Sequence, residues 1–271
     1  MSRAGKSAGG YKRGRGLLTS GGRLSDSKNL SLLWGFPCGG QVPAPWLRHI
    51  CGVFDRTKHG TSMPLVANQS ATLDLARSWM IEVARKEPRY DWLIQVETDK
   101  WIANTKDPSN PDKPWASLDA IIDILEEDRA FGFDAVFGPT MSPDGVPNFG
   151  MPSAESWEDV GPNGPSEAQW SGLAFFAMSR KCLDGLKILD YAKSSVMRPE
   201  GPDDKGQPMF CKMNLPQEGE DVSLCRNIRE SGFKLAIDPR IPVGPAKAFP
   251  QFISRECWPI WRKMAKARRA A

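Results

Sequence analysis

Two places in this chain put carboxylates where they can act together. The first is Glu97-Thr98-Asp99, which follows the largely apolar run 92–96. If the extended backbone of that run continues, Glu97 and Asp99 point to the same side, because side chains in a strand alternate with a period of two. Two acids on one side suit a hard cation such as Mn²⁺ or Mg²⁺, which takes oxygen ligands from one or two carboxylates plus substrate phosphates. The competing reading is a pair of solvated acids, one neutralised by Lys100. The second place is Glu220-Asp221, after a Gly- and Pro-rich stretch. Acids there suit the positive end of a helix dipole, as simple caps. They also suit a general base with a neighbour, a role that needs a carboxylate beside a reacting hydroxyl.

The elements that must position these acids follow from hydrophobic spacing. Residues 30–36 read as a strand ending in the turn Pro37-Cys-Gly-Gly40, and 45–54 as a helix. Residues 63–67 read as a strand and 72–86 as a helix, with Leu73, Ala76, Met80 and Val83 on one face and Pro88 beyond its end. A third strand, 91–96, carries Glu97 and Asp99 at its carboxyl end. A helix over 115–128, a strand over 134–138, a strand over 170–178, a helix over 180–189, a helix from Glu220 to about Ser231 and a strand over 233–237 complete the pattern. Strands alternating with helices imply an α/β fold with a mainly parallel sheet and helices on both faces. Ligands in such sheets bind beyond the carboxyl ends of the strands, which is where Glu97 and Asp99 fall. Residues 139–169 and 198–219 read as long loops, of the kind that cover substrates. No internal repeat is present.

Composition narrows the classes. The 271 residues, 40% of them hydrophobic, suffice for one large domain with a real core. The longest apolar stretches are far below the roughly 20 residues that cross a bilayer, and no apolar segment follows the charged N-terminus as a secretory signal requires. Six cysteines (Cys38, Cys51, Cys182, Cys211, Cys225, Cys257) lie without C-x-x-C pairing, and His49 and His59 are the two histidines, so zinc-ligand spacing is absent. Free thiols fit a cytoplasmic protein. The net charge of +4 is uneven. Residues 1–28 carry seven Lys/Arg against one Asp, and 258–271 carry five with no acid. The body between them, 29–257, is therefore acidic, at about −7. Basic tails attract nucleic acid or other polyanions, or serve as solubilising disordered ends.

The ordered set of segments resembles inverting glycosyltransferases of the GT-A fold, the family-2-like type common in phages and bacteria, from about Leu30 to Pro245. The strand and turn Phe36 to Gly40 is similar to the family's nucleotide-contacting edge, and Leu75-Ala-Arg77-Ser78 to its A-R-N segment. Asp91-Trp-Leu-Ile-Gln-Val-Glu-Thr-Asp99 is similar to the strand ending in D-x-D. Phe133-Asp-Ala-Val-Phe-Gly138, Ser171-Gly-Leu-Ala-Phe-Phe-Ala-Met-Ser-Arg180 and Gly219-Glu-Asp-Val-Ser-Leu-Cys-Arg226 follow in the family's order, and so does Glu230-Ser-Gly-Phe-Lys-Leu-Ala-Ile-Asp-Pro239. The resemblance implies a single-domain GT-A (Rossmann-like) catalytic domain over 29–257 between the two basic tails. It implies a nucleotide-sugar donor near Pro37 and Arg77, and a divalent cation, Mn²⁺ or Mg²⁺, on Asp99 with Glu97. Asp221 becomes the base for the acceptor hydroxyl, with Glu220 beside it. Trp157 or Trp170 stacks on a sugar ring or, alternatively, anchors a loop. Glu97 stands where the family's first D-x-D aspartate is expected, and Ile241-Pro-Val-Gly-Pro245 ends in proline where many relatives place a histidine ligand.

The acceptor stays open among DNA, protein and glycan. Two other functions share these features: a non-catalytic sugar-nucleotide or nucleic-acid binding protein, and a nucleotidyltransferase. The latter wants a Gly-rich phosphate loop with a basic residue, for which Pro37-Cys-Gly-Gly40 is a poor version.

Overall fold

The computed structural model describes residues 30–37, 62–67, 72–98, 100–102, 118–140, 148–150, 164–192, 206–213, 218–241 and 243–245. The expected helix over 45–54, Asp99, Trp157 and both basic tails lie outside the described residues.

In chain order, strand β1 (Leu32–Pro37) and strand β2 (Ser62–Ala67) precede helix α1 (Leu73–Lys86). Strand β3 (Trp92–Val96), the short β4 (Lys100–Ile102), helix α2 (Leu118–Ala130) and strand β5 (Ala135–Phe137) follow. Then come β6 (Phe149–Gly150), β7 (Ser166–Ala168), β8 (Trp170–Ser171), β9 (Phe175–Ser179) and helix α3 (Arg180–Gly185). Strands β10 (Asp190–Ala192) and β11 (Gln207–Met209), helix α4 (Glu220–Glu230), β12 (Leu235–Ile237) and β13 (Val243–Pro245) close the series.

Seven strands form one sheet in the order β2-β1-β3-β9-β5-β12-β7. Each strand contributes alternate side chains to the two faces, and this alternation splits the core. Leu33, Leu93, Phe137, Phe176, Met178, Leu235 and Ile237 pack against α1, α3 and α4. Trp34, Phe36, Trp92, Ile94, Val96, Phe175 and Ala177 pack against α2 on the other face. Helices thus cover both faces, as the pattern requires.

The sheet is evenly mixed rather than mainly parallel, with three parallel and three antiparallel pairings among the described residues. β1 runs parallel to β2 and β3, and β5 parallel to β12. β9, however, is antiparallel to both β3 and β5, and β7 is antiparallel to β12. The reason lies in the route of the chain. Val96 at the end of β3 faces Phe175 at the start of β9, and the Glu97 N–H donates to the Ala174 carbonyl at 3.1 Å. The chain therefore re-enters the sheet from its carboxyl end, without the helical crossover that a parallel strand needs.

Three local expectations change as well. The apolar segment 170–178 is two strands broken at Gly172, where an added Cβ would meet the Asn148 amide at 2.2 Å. Helix α3 stops at Gly185 instead of running to 189. Phe233 packs so closely over Gly185 that a Cβ there would lie 2.5 Å from its ring, and Leu186 turns extended. The stretches read as long loops contain β6, β7 and β11, strands of two or three residues that are too short to show a period.

Candidate active site

The period-two rule carries Leu93 and Gln95 to the α1 side of the sheet, while Trp92, Ile94 and Val96 face α2. Gln95 is a polar residue in a strand whose five residues are all buried. Gly35 on the neighbouring β1 leaves room for it: a Cβ there would come 3.1 Å from the Gln95 Cγ and 2.6 Å from the Met80 Sδ. Glu97 continues on the same side just past the strand. Its carbonyl accepts the Lys100 N–H at 3.0 Å, closing a turn that sends the chain into β4.

Helix α1 supplies the partner. Arg77 lies four residues before Ile81 and seven before Ala84, on the face that packs onto the sheet, and its side chain has 0% exposure. A buried guanidinium needs hydrogen-bonded partners to offset desolvation. Nη1 donates to the Gln95 Oε1 at 3.2 Å, and Nη2 donates to the Glu97 Oε1 at 2.8 Å. Nε lies 3.7 Å from the Glu220 Oε1, beyond hydrogen-bonding distance. Lys100 reaches the other Glu97 oxygen at 3.2 Å. The acids at 97 and 220, far apart in sequence, thus face one buried cation.

Glu220 is the first residue of α4, and its side chain is 13% exposed. Burial raises its carboxyl above the ordinary value, the Arg77 charge opposes that, and the charges of Asp221 and Glu97 reinforce it. Asp221 is half-buried in the same first turn, and its Oδ1 accepts the Val222 N–H at 2.8 Å. Gly219, the extended residue before the helix, makes room for that carboxylate. A Cβ at 219 would stand 2.6 Å from the Asp221 Oδ1.

The two helices are tied together through the segment 207–213. Gln207 donates to the Leu75 carbonyl at 2.8 Å, and the Met213 N–H to Asp74 at 3.1 Å. The Phe210 N–H donates to Ser78 at 3.0 Å. On the α4 side the Lys212 N–H donates to Ser223 at 3.0 Å, and Asn227 donates to the Phe210 carbonyl at 2.8 Å. This polar clamp holds the starts of α1 and α4 in register. Cys211 and Cys225 are buried here, and burial pushes each thiol up to about 12, so both are neutral.

The other sequence-derived residues fall as follows. Pro37 ends β1, buried, with its register partner Ala67 on β2. Trp170 is half-buried with its indole laid on Gly150, where a Cβ would meet Nε1 at 2.1 Å, which makes it a packing anchor between β6 and β8. The segment ending at Pro245 forms β13, whose residue 245 pairs with Lys100 of β4. Pro245, where the resemblance leads one to expect a histidine, therefore stands beside Lys100. Among the described residues, no three of His, Cys, Asp and Glu gather into a group able to hold a metal ion. Sequence reasoning missed Gln95 and the joining role of Arg77. Their signals were a lone amide in a buried strand and an arginine at a core position of an amphipathic helix.

No family model and no curated protein matches the chain. Among solved structures, the crystal structure of A197 from STIV superposes with a TM-score of 0.53 at 14% identity, covering 84% of this chain and 91% of that one. A glycosyltransferase involved in the glycosylation of the major capsid of PBCV-1 aligns with a TM-score of 0.32 at 12% identity, over 57% of this chain and 62% of that one. The second likeness is too loose to carry any argument. The chain shares the fold of the A197 protein, and its chemistry rests on its own residues.

Proposed function

We propose that this protein is a glycosyltransferase that moves a sugar from a nucleotide donor to an acceptor hydroxyl, with inversion at the anomeric carbon. The observation that carries this reading is the convergence of Glu97 and Glu220-Asp221. The two acidic segments that resemble the donor and base segments of such enzymes face the same buried Arg77 at the carboxyl end of β3. Among the described residues nothing hydrogen-bonds the Asp221 Oδ2, so a carboxylate oxygen at a helix start is left for a hydroxyl proton. In the transfer, Asp221 takes the acceptor proton and the oxygen bonds to the anomeric carbon. The bond from that carbon to the diphosphate breaks, and the electron pair leaves with the diphosphate. Glu220 stands beside the base. Pro37 at the end of β1 marks the nucleotide edge, and Arg77 reaches the donor end through Glu97.

Mn²⁺ or Mg²⁺ belongs to this reading through Asp99 with Glu97. The described residues alone do not make a cation shell, since both Glu97 oxygens already face the cations Arg77 and Lys100. The acceptor is a DNA, protein or glycan hydroxyl. No helix among the described residues is long and apolar enough to cross a membrane.

A panel of sugar nucleotides, each with and without Mn²⁺, tests the reading by thermal unfolding. A matching donor at a hundredfold excess over its Kd stabilises by about 2.7 kcal/mol. Absence of stabilisation by every donor overturns the proposal.

A further inference from the structure

A buried arginine is costly, and its position shows what offsets the cost. Arg77 occupies a core position of α1, between the apolar residues Ala76 and Met80, with no exposed surface. Apolar side chains of the same volume satisfy such a position at least as well in stability terms. The planar guanidinium, by contrast, offers donors on several edges in fixed directions, which a lysine or an apolar chain cannot do. Those edges are shared among separate elements. Nη1 and Nη2 hold Gln95 and Glu97 on and just past β3, and Nε is turned toward Glu220 on α4. Nε itself has no hydrogen-bond partner. Its 3.7 Å approach to Glu220 is an ion-pair contact one short movement from a hydrogen bond.

We infer that Arg77 is the positioning residue of the site. It holds Glu97 and Glu220 from one point and so sets where the first turn of α4, with Asp221, stands relative to the carboxyl end of β3. What is being positioned rests on the transferase reading above; the three-sided contact does not. Arg77 acts through its carboxylate partners, since its guanidinium is sealed from solvent. Gln95 completes the device by fixing the plane of the fork from below, in the space that Gly35 leaves open.

The reading separates from simple core filling in double-mutant cycles, because a filler couples to its neighbours by shape and a hub couples by charge. Thermal unfolding is compared for wild type, R77M, R77K, E97Q, E220Q, R77M/E97Q and R77M/E220Q. R77M strands two part-buried carboxylates and lowers Tm by roughly 10 °C. Adding E97Q or E220Q to R77M neutralises one stranded acid, and each double variant recovers several degrees. R77K keeps the charge, loses the fork and recovers less than half of the loss.

Hydrogen exchange gives the local readout. In E220Q, which keeps the fold, the Val222 and Ser223 amides exchange at least several-fold faster, while the core amides of β3 are unchanged. Additive cycles, or first-turn exchange in E220Q equal to wild type, overturn the inference. Neither measurement uses a donor, so a failed donor panel sinks the transferase reading and leaves this one standing on its own result.

Discussion

The molecule contains two clusters made of the same parts, an arginine among carboxylates at the end of a strand, and they behave differently. Around Arg77 the acids keep access to water: Glu97 is 26% exposed, and Asp221 next to Glu220 is half-buried. Beyond β12 the burial is inverted: two aspartates are enclosed, while Arg240 is 21% exposed and Glu127 51%. Arg240 grips Asp238 through Nε at 2.9 Å and Nη2 at 2.6 Å, reaches Asp128 at 3.0 Å and Glu127 at 2.5 Å, and both aspartates have no exposed side chain. That cluster fastens the end of α2 to the turn leading into β13. The contrast shows that an arginine among acids is not by itself a site. In one cluster the aspartates are enclosed and the arginine closes over them from the surface as a rivet; in the other the arginine is enclosed and its acids are presented.

Substitutions in the two clusters should therefore part company, and the largest separation is in turnover. Asp221→Asn is expected to lower transfer by about 10²–10⁴-fold, the range for loss of a general base, while moving Tm by no more than a degree or two. Full activity in that variant removes the base assignment. Arg240→Met should do the reverse, costing about 3–5 kcal/mol by stranding Asp238 in the interior, or roughly 6–20 °C in Tm. A stable Arg240→Met protein would erase the distinction between rivet and site.

A pH series sharpens the same comparison. Burial, and then the neighbouring Asp238 charge, hold the Asp128 carboxyl far above its ordinary value against the pull of Arg240. A carboxyl raised in the folded state binds its proton more tightly there. Its contribution to stability is complete below the unfolded value and is lost as pH rises toward the folded one. Wild type should thus lose up to about 1.4 kcal/mol per pH unit from this group above pH 5. Asp128→Asn, which keeps the shape and has no proton to lose, should flatten the curve. Parallel Tm curves for the two proteins between pH 5 and 9 would contradict the sealed-pair account. The smallest effect expected is for Gly219→Ala. Its Cβ pushes the Asp221 carboxylate aside, lowering turnover by about tenfold, or 1.4 kcal/mol of barrier, with little change in melting. Unaltered turnover there would show that Asp221 needs no such placement.

How much of this was legible beforehand differs from element to element. The run Trp-Leu-Ile-Gln-Val and the spacing of α1 declare themselves because strand and helix periods are local properties of neighbouring residues. The acids at 97 and 221 were visible for the same reason, as charges at the ends of periodic segments. Strand β7 was not visible, since Ser-Glu-Ala becomes a strand only because the edge of β12 is there to pair with it.

By itself, then, the sequence determined the α/β alternation, part of the buried face of α1 (Ala76 and Met80, though Leu73, expected there, is exposed) and the acids placed at a strand end and a helix start. All of these follow from periodicity within a few residues. Only the tertiary structure decided that β9 runs backward between β3 and β5, that Arg77 turns inward to face both Glu97 and Glu220, and that Arg240 closes over Asp128 and Asp238. Strand direction depends on the path taken by a distant loop. The partner of a buried charge depends on which elements the whole core brings within a few ångströms, and no local pattern carries that information.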